Sequence, residues 1–333
     1  MRTLIPPTFP DAGYDLALVC RVLKNKEQLT QKNLKELIGA EVFSYSRAQG
    51  FKKQPENKRR CWTQQYQDDV DFHMDILPCV PAGEHHRQLL LEAGVSQDLM
   101  AHAINITDKT EPDYAKISHN WPRSNPRGFA LWFEHRMDVG GLATASRKAI
   151  VESRGRIYES VEDVPAYELK TPLQRVVQLL KRHRDQMFKD DPKGAPISII
   201  ITTLAARAYT GETDLAEAMT GVLDRMGNYV SPTKPRIPNP VSFTKLDEVE
   251  DFADRWDANL ENNFWRWLRQ AKEDFGSLGR ATTPSQLSEA SEAALGLRLS
   301  EEAAKDSIST NRAPAVIGTT KVAGTAPRSW GSQ

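Results

Sequence analysis

Two aspartates occupy similar places in two separate apolar stretches of the chain. Asp75 lies within residues 71–78, where apolar and polar residues alternate as they do on a half-buried strand. Asp15 lies near the start of a second apolar run, residues 14–20. A carboxylate on an apolar strand is costly to bury unless it is paired or binds a cation. If the two strands were neighbours, both carboxylates could bind one divalent ion.

A pair of carboxylates suits phosphoryl-transfer chemistry. Mg²⁺ in such sites is usually held by one or two carboxylates, while substrate phosphates and water complete its octahedron. In nucleotidyl transfer the metal neutralises the triphosphate and lowers the pKa of the attacking hydroxyl. The simpler alternative is that each aspartate ends a strand or accepts a local hydrogen bond. Spacing alone does not decide between the two interpretations.

Further motifs occur along the chain in a specific order. Arg60-Cys61-Trp62 precedes the strand of residues 72–78, and the segment of residues 121–133 and the stretch of residues 170–185 follow it. In this order the motifs resemble the bacterial cyclic-oligonucleotide synthases of the antiphage CBASS systems. These are the cGAS/DncV-like nucleotidyltransferases (CD-NTases), which are relatives of oligoadenylate synthase. The resemblance covers roughly residues 1–275.

The resemblance implies an α+β fold with two domains. A polymerase-β-like nucleotidyltransferase palm is expected over residues 1–165, and a C-terminal helical domain over residues 166–300. Residues 301–333 are expected to form a flexible tail, because small and polar residues cannot bury enough apolar surface to fold alone. In the family such tails can serve for attachment to partners by a ubiquitin-transfer-like enzyme.

The resemblance also implies an activity. The expected substrates are nucleoside triphosphates, the expected cofactor is Mg²⁺ with Mn²⁺ as the alternative, and the product is a cyclic di- or oligonucleotide second messenger. That messenger would activate a downstream effector, and activating or tail-modifying defence proteins are further expected partners. Asp15 and Asp75 match the first and third catalytic, metal-binding acids of the family.

Two departures from the family pattern weaken this expectation. Ala17 stands where the family has its second acid, and alternation places residues 15 and 17 on one face of a strand. The Gly-Ser loop and the helix before it have no counterpart, because the chain begins at Met1. A catalytically impaired nucleotide-binding relative is therefore the alternative function.

Four residues are candidates for nucleotide binding by resemblance: Lys170, Lys181, Ser198 and Asn239. Lys170 precedes a predicted helix start, where exposed backbone N–H groups also favour phosphate. For Lys181 the alternative is a solvated helix lysine, and for Asn239 it is a plain Asn-Pro turn. Ser198 could face the base together with Thr202, one helical turn later.

The first half of the chain reads as mixed strand and helix. Strands are predicted over residues 14–24 and 70–78, and a helix over residues 31–38 that stops at Gly39. The basic residues of the segment 50–60 predict a solvated loop, or alternatively a rim that contacts phosphate. A long loop is predicted over residues 105–128.

The second half reads as helical. Thr171, Pro172 and Gln174 form a helix start signal with a reciprocal capping position. Residues 197–204 are β-branched and look locally like a strand, but the resemblance implies a helix. A further helix is predicted over residues 215–226. The apolar stripe expected to pack the first of these helices is Leu173, Val176, Val177 and Leu180. The aromatic and leucine positions that predict a long final helix ending near Gly276 are Phe252, Trp256, Leu260, Phe264 and Leu268.

Composition narrows the remaining function classes. The chain of 333 residues carries 44 basic and 44 acidic side chains, so its formal net charge is zero. Neutrality disfavours an RNA-tailing enzyme, a third alternative, and no specific nucleic acid partner is expected. Three cysteines without tight spacing do not suggest a disulfide framework or a zinc site. Without a leader or a membrane-spanning run, we expect a cytoplasmic protein with no membrane partner.

Overall fold

A computed structural model describes residues 14–23, 28–67, 71–92, 94–139, 141, 170–242 and 250–310. The strands are β1 (Tyr14–Arg21), β2 (Glu56–Asn57), β3 (Trp62–Gln67), β4 (Asp71–Pro81), β5 (Ile104–Ile106) and β6 (Arg123–Ser124). The helices are α1 (Gln31–Ala48), α2 (Glu84–Glu92), α3 (Gln97–Met100), α4 (Pro126–Met137), α5 (Pro172–Met187), α6 (Ser198–Ala208), α7 (Leu215–Arg225), α8 (Ala258–Arg280), α9 (Pro284–Leu295) and α10 (Glu301–Thr310). Short 3₁₀ turns cover Pro192–Gly194 and Met226–Tyr229.

The sheet is built around strand β4. Within the described part of the chain it is six-stranded, and β4 pairs with β1 in parallel and with β3 and β5 antiparallel. Both predicted strands, residues 14–24 and 70–78, are confirmed. β4 continues to Pro81 because β5 pairs with its last three residues, and β1 already ends at Arg21. β4 is therefore the element that positions its neighbours.

Helix α1 packs on this sheet and is longer than the sequence pattern predicts. It continues to Ala48, so the prediction that it stops at Gly39 is wrong. Gly39 lies against the indole of Trp62, where an added Cβ would come within 2.4 Å of a ring carbon. The Trp62 indole N–H also donates to the carbonyl oxygen of Lys35 at 2.8 Å. The glycine therefore permits close packing of helix on sheet and does not end the helix.

The segment predicted as a loop over residues 105–128 is a loop only in its middle. Its first residues belong to β5, residues 123 and 124 form β6, and α4 begins at Pro126. The side chain of Asn125 accepts a hydrogen bond from the N–H of Gly128 at 2.9 Å and so caps α4. An Asn-Pro pair, read as a loop signal, is here the start of a helix.

The helical half of the chain follows the predicted pattern closely. Thr171 and Gln174 form the predicted capping box at the start of α5. The predicted helix over residues 197–204 is confirmed as α6, because its β-branched residues are buried on a helical core. Tertiary burial thus overrides the local strand tendency. The predicted stripe of α5 is buried completely: Leu173, Val176, Val177 and Leu180.

Arginines close the carboxyl end of α6. Arg136 of α4 donates through Nε to the Ala206 carbonyl at 2.7 Å and also bonds the carbonyl of Tyr209. Arg225 of α7 donates through Nε to the carbonyl of Ala208 at 2.8 Å. Cations suit this end because the last carbonyls of a helix carry partial negative charge. These bonds attach α6 to α4, which also packs against the sheet half through Phe129.

The long helix α8 has different bounds from those predicted. Phe252 and Trp256 lie before it, because Asp257 caps the helix by accepting from the N–H of Leu260 at 2.8 Å. The helix also runs past Gly276 to Arg280, so a stop near Gly276 is wrong. The core role predicted for its aromatic residues is confirmed at Phe264, which is fully buried.

The chain after residue 300 does not begin as a flexible tail. Residues Glu301–Thr310 form α10, and Ala304 in that helix is fully buried. The remaining part of the predicted tail, residues 311–333, lies outside the described residues. None of the described helices combines the length and the apolar character that crossing a bilayer requires.

Gly39→Ala is expected to destabilise the protein, although alanine is the better helix former by about 1 kcal/mol. The added methyl group would overlap the Trp62 ring, and overpacking a core typically costs about 1–3 kcal/mol. Gly279→Ala is the matched control, since a Cβ at this helical glycine meets nothing within 4 Å. Thermal unfolding should show a lower Tm for the first variant only. An unchanged Tm for Gly39→Ala would contradict the packing role of Gly39.

Candidate functional site

Asp75 lies in the middle of the central strand with a neighbour on each side. Thr63 of β3 stands opposite it, and the Thr63 hydroxyl donates a short hydrogen bond to Asp75 Oδ1. Ala17 of β1 stands opposite it on the other side. Burial raises the pKa of the nearby Cys61 thiol, and the charge of Asp75 raises it further. A partly exposed, oriented carboxylate is thus present where the sequence predicts one.

Asp15 lies on the adjacent parallel strand. The register places it beside His73, two residues along the strand from the Ala17–Asp75 position. The predicted adjacency of the two aspartate-bearing strands is therefore confirmed. The side chain of Asp15 lies outside the described residues, so the sharing of one metal by both carboxylates stays a prediction.

Asp75 offers one carboxylate to a cation, and a role in metal binding stays a prediction for it. Among the described side chains, no group of three or more His, Cys, Asp or Glu could hold a metal together. That excludes a protein-only cage within the described ranges, but Mg²⁺ is commonly bound through one or two carboxylates with substrate phosphates and water. Asp75 meets that minimal requirement, and Asp15 is the second candidate.

Lys181 on α5 is half-buried. Burial lowers its pKa to about 8, the positive charge of Arg184 lowers it further, and Asp185 opposes the shift. A freely solvated lysine, the alternative weighed from sequence, does not describe this environment. The role of Lys181 in nucleotide binding stays a prediction.

Ser198 is the first residue of α6, and its side chain is exposed. Its hydroxyl oxygen accepts a hydrogen bond from Arg184 of α5 at 2.9 Å. Thr202 is buried, and its hydroxyl donates to the Ser198 carbonyl at 2.8 Å. The expectation that Thr202 faces a base is therefore wrong, because its donor is already used within the helix. Ser198 and Lys181 are joined through the shared neighbour Arg184.

Lys170 and Asn239, the two other candidate residues for nucleotide binding, differ in their exposure to solvent. Lys170 is exposed directly before Thr171, the capping residue of α5. Asn239 is only 4% exposed; its amide nitrogen donates to Glu250 at 2.7 Å, and its oxygen accepts from the N–H of Val241 at 3.1 Å. These bonds match the plain turn that was the alternative for Asn239. A role in nucleotide binding stays a prediction for both residues.

Asp108 and Lys35 belong to a buried ionic cluster that was not predicted from the sequence. Asp108 has a fully buried carboxylate that pairs with Arg59 at 2.8 Å and with Arg60 at 2.9 Å. Lys35 is also fully buried and donates to the carbonyl oxygens of Lys58 and Arg59 at 2.5 and 2.8 Å. The segment 50–60 is thus anchored at its end, where a solvated loop was predicted.

The sequence contains a signal for the burial of Lys35 but not for that of Asp108. Lys35 precedes Ile38 by three residues and Val42 by seven, so helical periodicity places it on the apolar face of α1. Burial lowers the pKa of Lys35 to about 8, and the charge of Lys109 lowers it further. No comparable periodicity marks Asp108, because it lies in an irregular segment.

The chain is similar to known proteins in sequence and in fold. No protein-family profile matches the chain. A c-di-GMP synthase of Roseivirga ehrenbergii is 29% identical over 237 residues, which are 69% of this chain and 54% of that protein. The chain therefore spans about half the length of this curated relative.

Solved structures extend the comparison. The CD-NTase CdnG of Bradyrhizobium diazoefficiens, in complex with GTP, matches 93% of this chain and 80% of its own with a TM-score of 0.58 and 21% identity. The Vibrio cholerae cyclic AMP-GMP synthase DncV, in complex with the linear intermediate pppA(3′,5′)pG, matches 90% and 68% with a TM-score of 0.57 and 16% identity. The chain has the fold of the CD-NTases. The predicted resemblance and the polymerase-β-like α+β fold class are confirmed, while the exact domain boundaries stay a prediction.

Asp108→Asn is expected to lower the free energy of unfolding at neutral pH by about 2 kcal/mol. Losing one partner of a fully buried pair costs about 3–5 kcal/mol, and half-exposed arginines reduce this figure. Burial alone would raise the pKa of Asp108, but hydrogen bonds from Arg59, Thr110 and Arg60 hold it well below its usual range. The contribution is therefore present above about pH 4, the unfolded pKa, and is lost as the pH falls through the lower folded pKa.

Urea unfolding at pH 7 and at pH 3 measures this difference. The gap between wild type and Asp108→Asn should narrow at the lower pH. Asp190→Asn, at an exposed position, is the control and should change stability little at either pH. A gap that widens on acidification would contradict the assignment of a depressed pKa to Asp108.

Proposed function

We propose that the chain is a nucleotidyltransferase of the CD-NTase type, which joins nucleoside triphosphates into a cyclic di- or oligonucleotide second messenger for antiphage defence. The observation that carries the proposal is Asp75, oriented by Thr63 on the central strand of a fold shared with structures bound to GTP and to a linear dinucleotide intermediate. The similarity to a c-di-GMP synthase supports the same reaction class. We place the reaction in the cytoplasm, with a downstream effector as the target of the product.

We assign metal binding to the aspartates of the strands and phosphate binding to side chains of the helices. Asp75, together with Asp15, would hold Mg²⁺ or Mn²⁺, which supplies charge neutralisation and a more acidic attacking hydroxyl when bound. Lys181 and Ser198 lie on neighbouring helices and would bind phosphate oxygens through an ammonium and a hydroxyl. Lys170 would add a charge at the start of α5. Holding donor and acceptor in line removes much of the entropic barrier of the transfer.

One observation favours a second candidate, an impaired relative that binds nucleotide but turns it over poorly. Ala17 stands directly opposite Asp75, so the strand position nearest to the oriented carboxylate offers a methyl group where the family has an acid. A missing carboxylate weakens the binding of a metal ion and the activation of the attacking hydroxyl. Both candidates share the nucleotide site and differ in turnover alone.

If the impaired-relative candidate holds, Ala17→Asp is expected to raise cyclic-product formation, from little or none in the wild type, by at least about 10-fold. The new carboxylate would stand beside Asp75 on the parallel strand and complete the charge that a divalent ion requires. Labelled ATP, GTP, CTP and UTP with Mg²⁺ or Mn²⁺, followed by separation of the products, provides the measurement.

Ala17→Asn is the matched control, because it has the same shape without the charge and should stay inactive. Asp75→Asn added to Ala17→Asp should abolish the gain. Robust turnover by the wild type would reject the impaired-relative candidate. If no variant forms product, the Ala17→Asp prediction is wrong, and ATP binding is the remaining part of the proposal to measure.

Lys181→Ala is expected to weaken ATP binding roughly 10-fold or more, since a hydrogen bond to a charged group contributes about 1.5–3 kcal/mol. Wild-type affinity should also fall as the pH rises through about 8, because Lys181 loses its charge there. Calorimetric titration of ATP with Mg²⁺ at pH 7 and pH 9 tests both expectations.

Lys189→Ala, an exposed lysine beyond the end of α5, is the control and should bind as the wild type does. Equal affinities of Lys181→Ala and wild type would remove Lys181 from the site. The absence of ATP binding in the wild type would reject the proposed function as a whole.

A further inference from the structure

Arg184 connects the two helices that carry the candidate nucleotide-binding side chains. It extends from α5 to the start of α6, where one terminal nitrogen, Nη1, donates to Ser198 Oγ at 2.9 Å and to the Pro196 carbonyl at 3.1 Å. Its side chain is only 13% exposed, so this geometry is set within the protein and not by solvent. The contact fixes the first turn of α6 relative to α5.

Asp185 sets the orientation of the guanidinium. Asp185 Oδ1 accepts from Nε of Arg184 at 2.7 Å and lies 2.5 Å from its other terminal nitrogen, Nη2. A guanidinium is planar, so two nitrogens engaged by one carboxylate oxygen leave its third nitrogen pointing in a fixed direction. That third nitrogen is the one that bonds Ser198 and Pro196.

This arrangement decides the role of the Ser198 hydroxyl. An arginine has only N–H donors, so Ser198 Oγ must be the acceptor in their bond. The hydroxyl hydrogen of Ser198 then points away from Arg184, and Ser198 is exposed. Because the oxygen is bonded to a cation, the remaining O–H is a polarised donor, and it lies on an exposed residue that a ligand can reach.

We propose that Arg184 is a positioning residue of the nucleotide site, which orients Ser198 as a hydrogen-bond donor to a phosphate oxygen of the bound triphosphate. The proposal rests on the proposed function and adds to it the role of one more residue. A phosphate oxygen is the fitting acceptor because Lys181, the proposed phosphate-binding lysine, lies close to Arg184. The two residues are three positions apart on one helix and are therefore neighbours on its surface. Arg184 acts through Ser198 and contributes no group to the transfer itself.

A double-mutant cycle separates this role from a merely structural one. ATP affinity with Mg²⁺ is measured by calorimetry for wild type, Arg184→Met, Ser198→Ala and the double variant. Each single change should weaken binding roughly 10-fold, the scale of a hydrogen bond to a charged group. In the Ser198→Ala background, Arg184→Met should cause almost no further loss, because the residue through which it acts is absent.

Controls address stability and charge. Arg182→Met removes a guanidinium from the same helix that bonds the Leu295 carbonyl at 3.1 Å, far along the chain from Ser198. It removes one such bond and should leave ATP affinity unchanged, whatever its effect on Tm. Arg184→Lys retains one donor and is expected to restore part of the affinity, which keeps the test valid if Arg184→Met does not fold.

The outcomes are distinct. Additive losses in the cycle would overturn the proposal, since they would mean that Arg184 contacts ATP itself or acts elsewhere. The same cycle with inorganic tripolyphosphate should show equal coupling, and coupling seen with ATP alone would reject the phosphate as the acceptor. If the wild type binds neither probe, the proposed function fails and this inference fails with it. If the wild type binds both and the cycle is additive, the inference alone is overturned.

Discussion

The pairing of β4 with β1 and β3 sets the position of Asp75, the residue at the centre of the candidate site. Asp75 has Thr63 on one side and Ala17 on the other only because the register of both ladders is fixed. A slip of one residue would turn every side chain of a strand to the opposite face. The register is held by the face opposite Asp75, where Trp62 packs against α1 and donates to the Lys35 carbonyl. The buried face of the sheet thus specifies the geometry of the exposed one.

Those parts of the fold that depend on local signals could be predicted from the sequence. The capping box at Thr171 and the buried stripe of α5 involve residues within a few positions of one another, so spacing alone identifies them. The end of α1 could not be predicted in this way. A glycine that ends a helix and a glycine that admits an indole look alike until the partner, Trp62, is known. Similarly, Phe252 and Trp256 fit the helical period of α8 but pack from the turn that precedes it.

For the candidate site the same division applies. The two aspartate-bearing strands and the lysine of α5 could be found from pattern and resemblance, because each lies on a regular element. Thr63 and Arg184 could not, since their roles come from contacts with residues distant in the chain. Asn239 shows where a sequence motif leaves two interpretations open. Its Asn-Pro motif is compatible with a nucleotide-binding residue and with a plain turn, and its burial and two hydrogen bonds match the turn while its binding role stays a prediction.

Helix α6 is fastened at both of its ends, by Arg184 at the first turn and by Arg136 and Arg225 at the last carbonyls. The two sets of bonds link α6 to α5 at one end and to α4 and α7 at the other, so the length of the helix must match the distance between these partners. One residue removed from a helix shortens it by about 1.5 Å and rotates its remaining residues by about 100°. The arginine bonds at the two ends could then no longer form at the same time. A deletion or insertion inside α6 would therefore break the arginine bonds at one end of the helix, whereas the same change in a connecting loop would leave both ends in place.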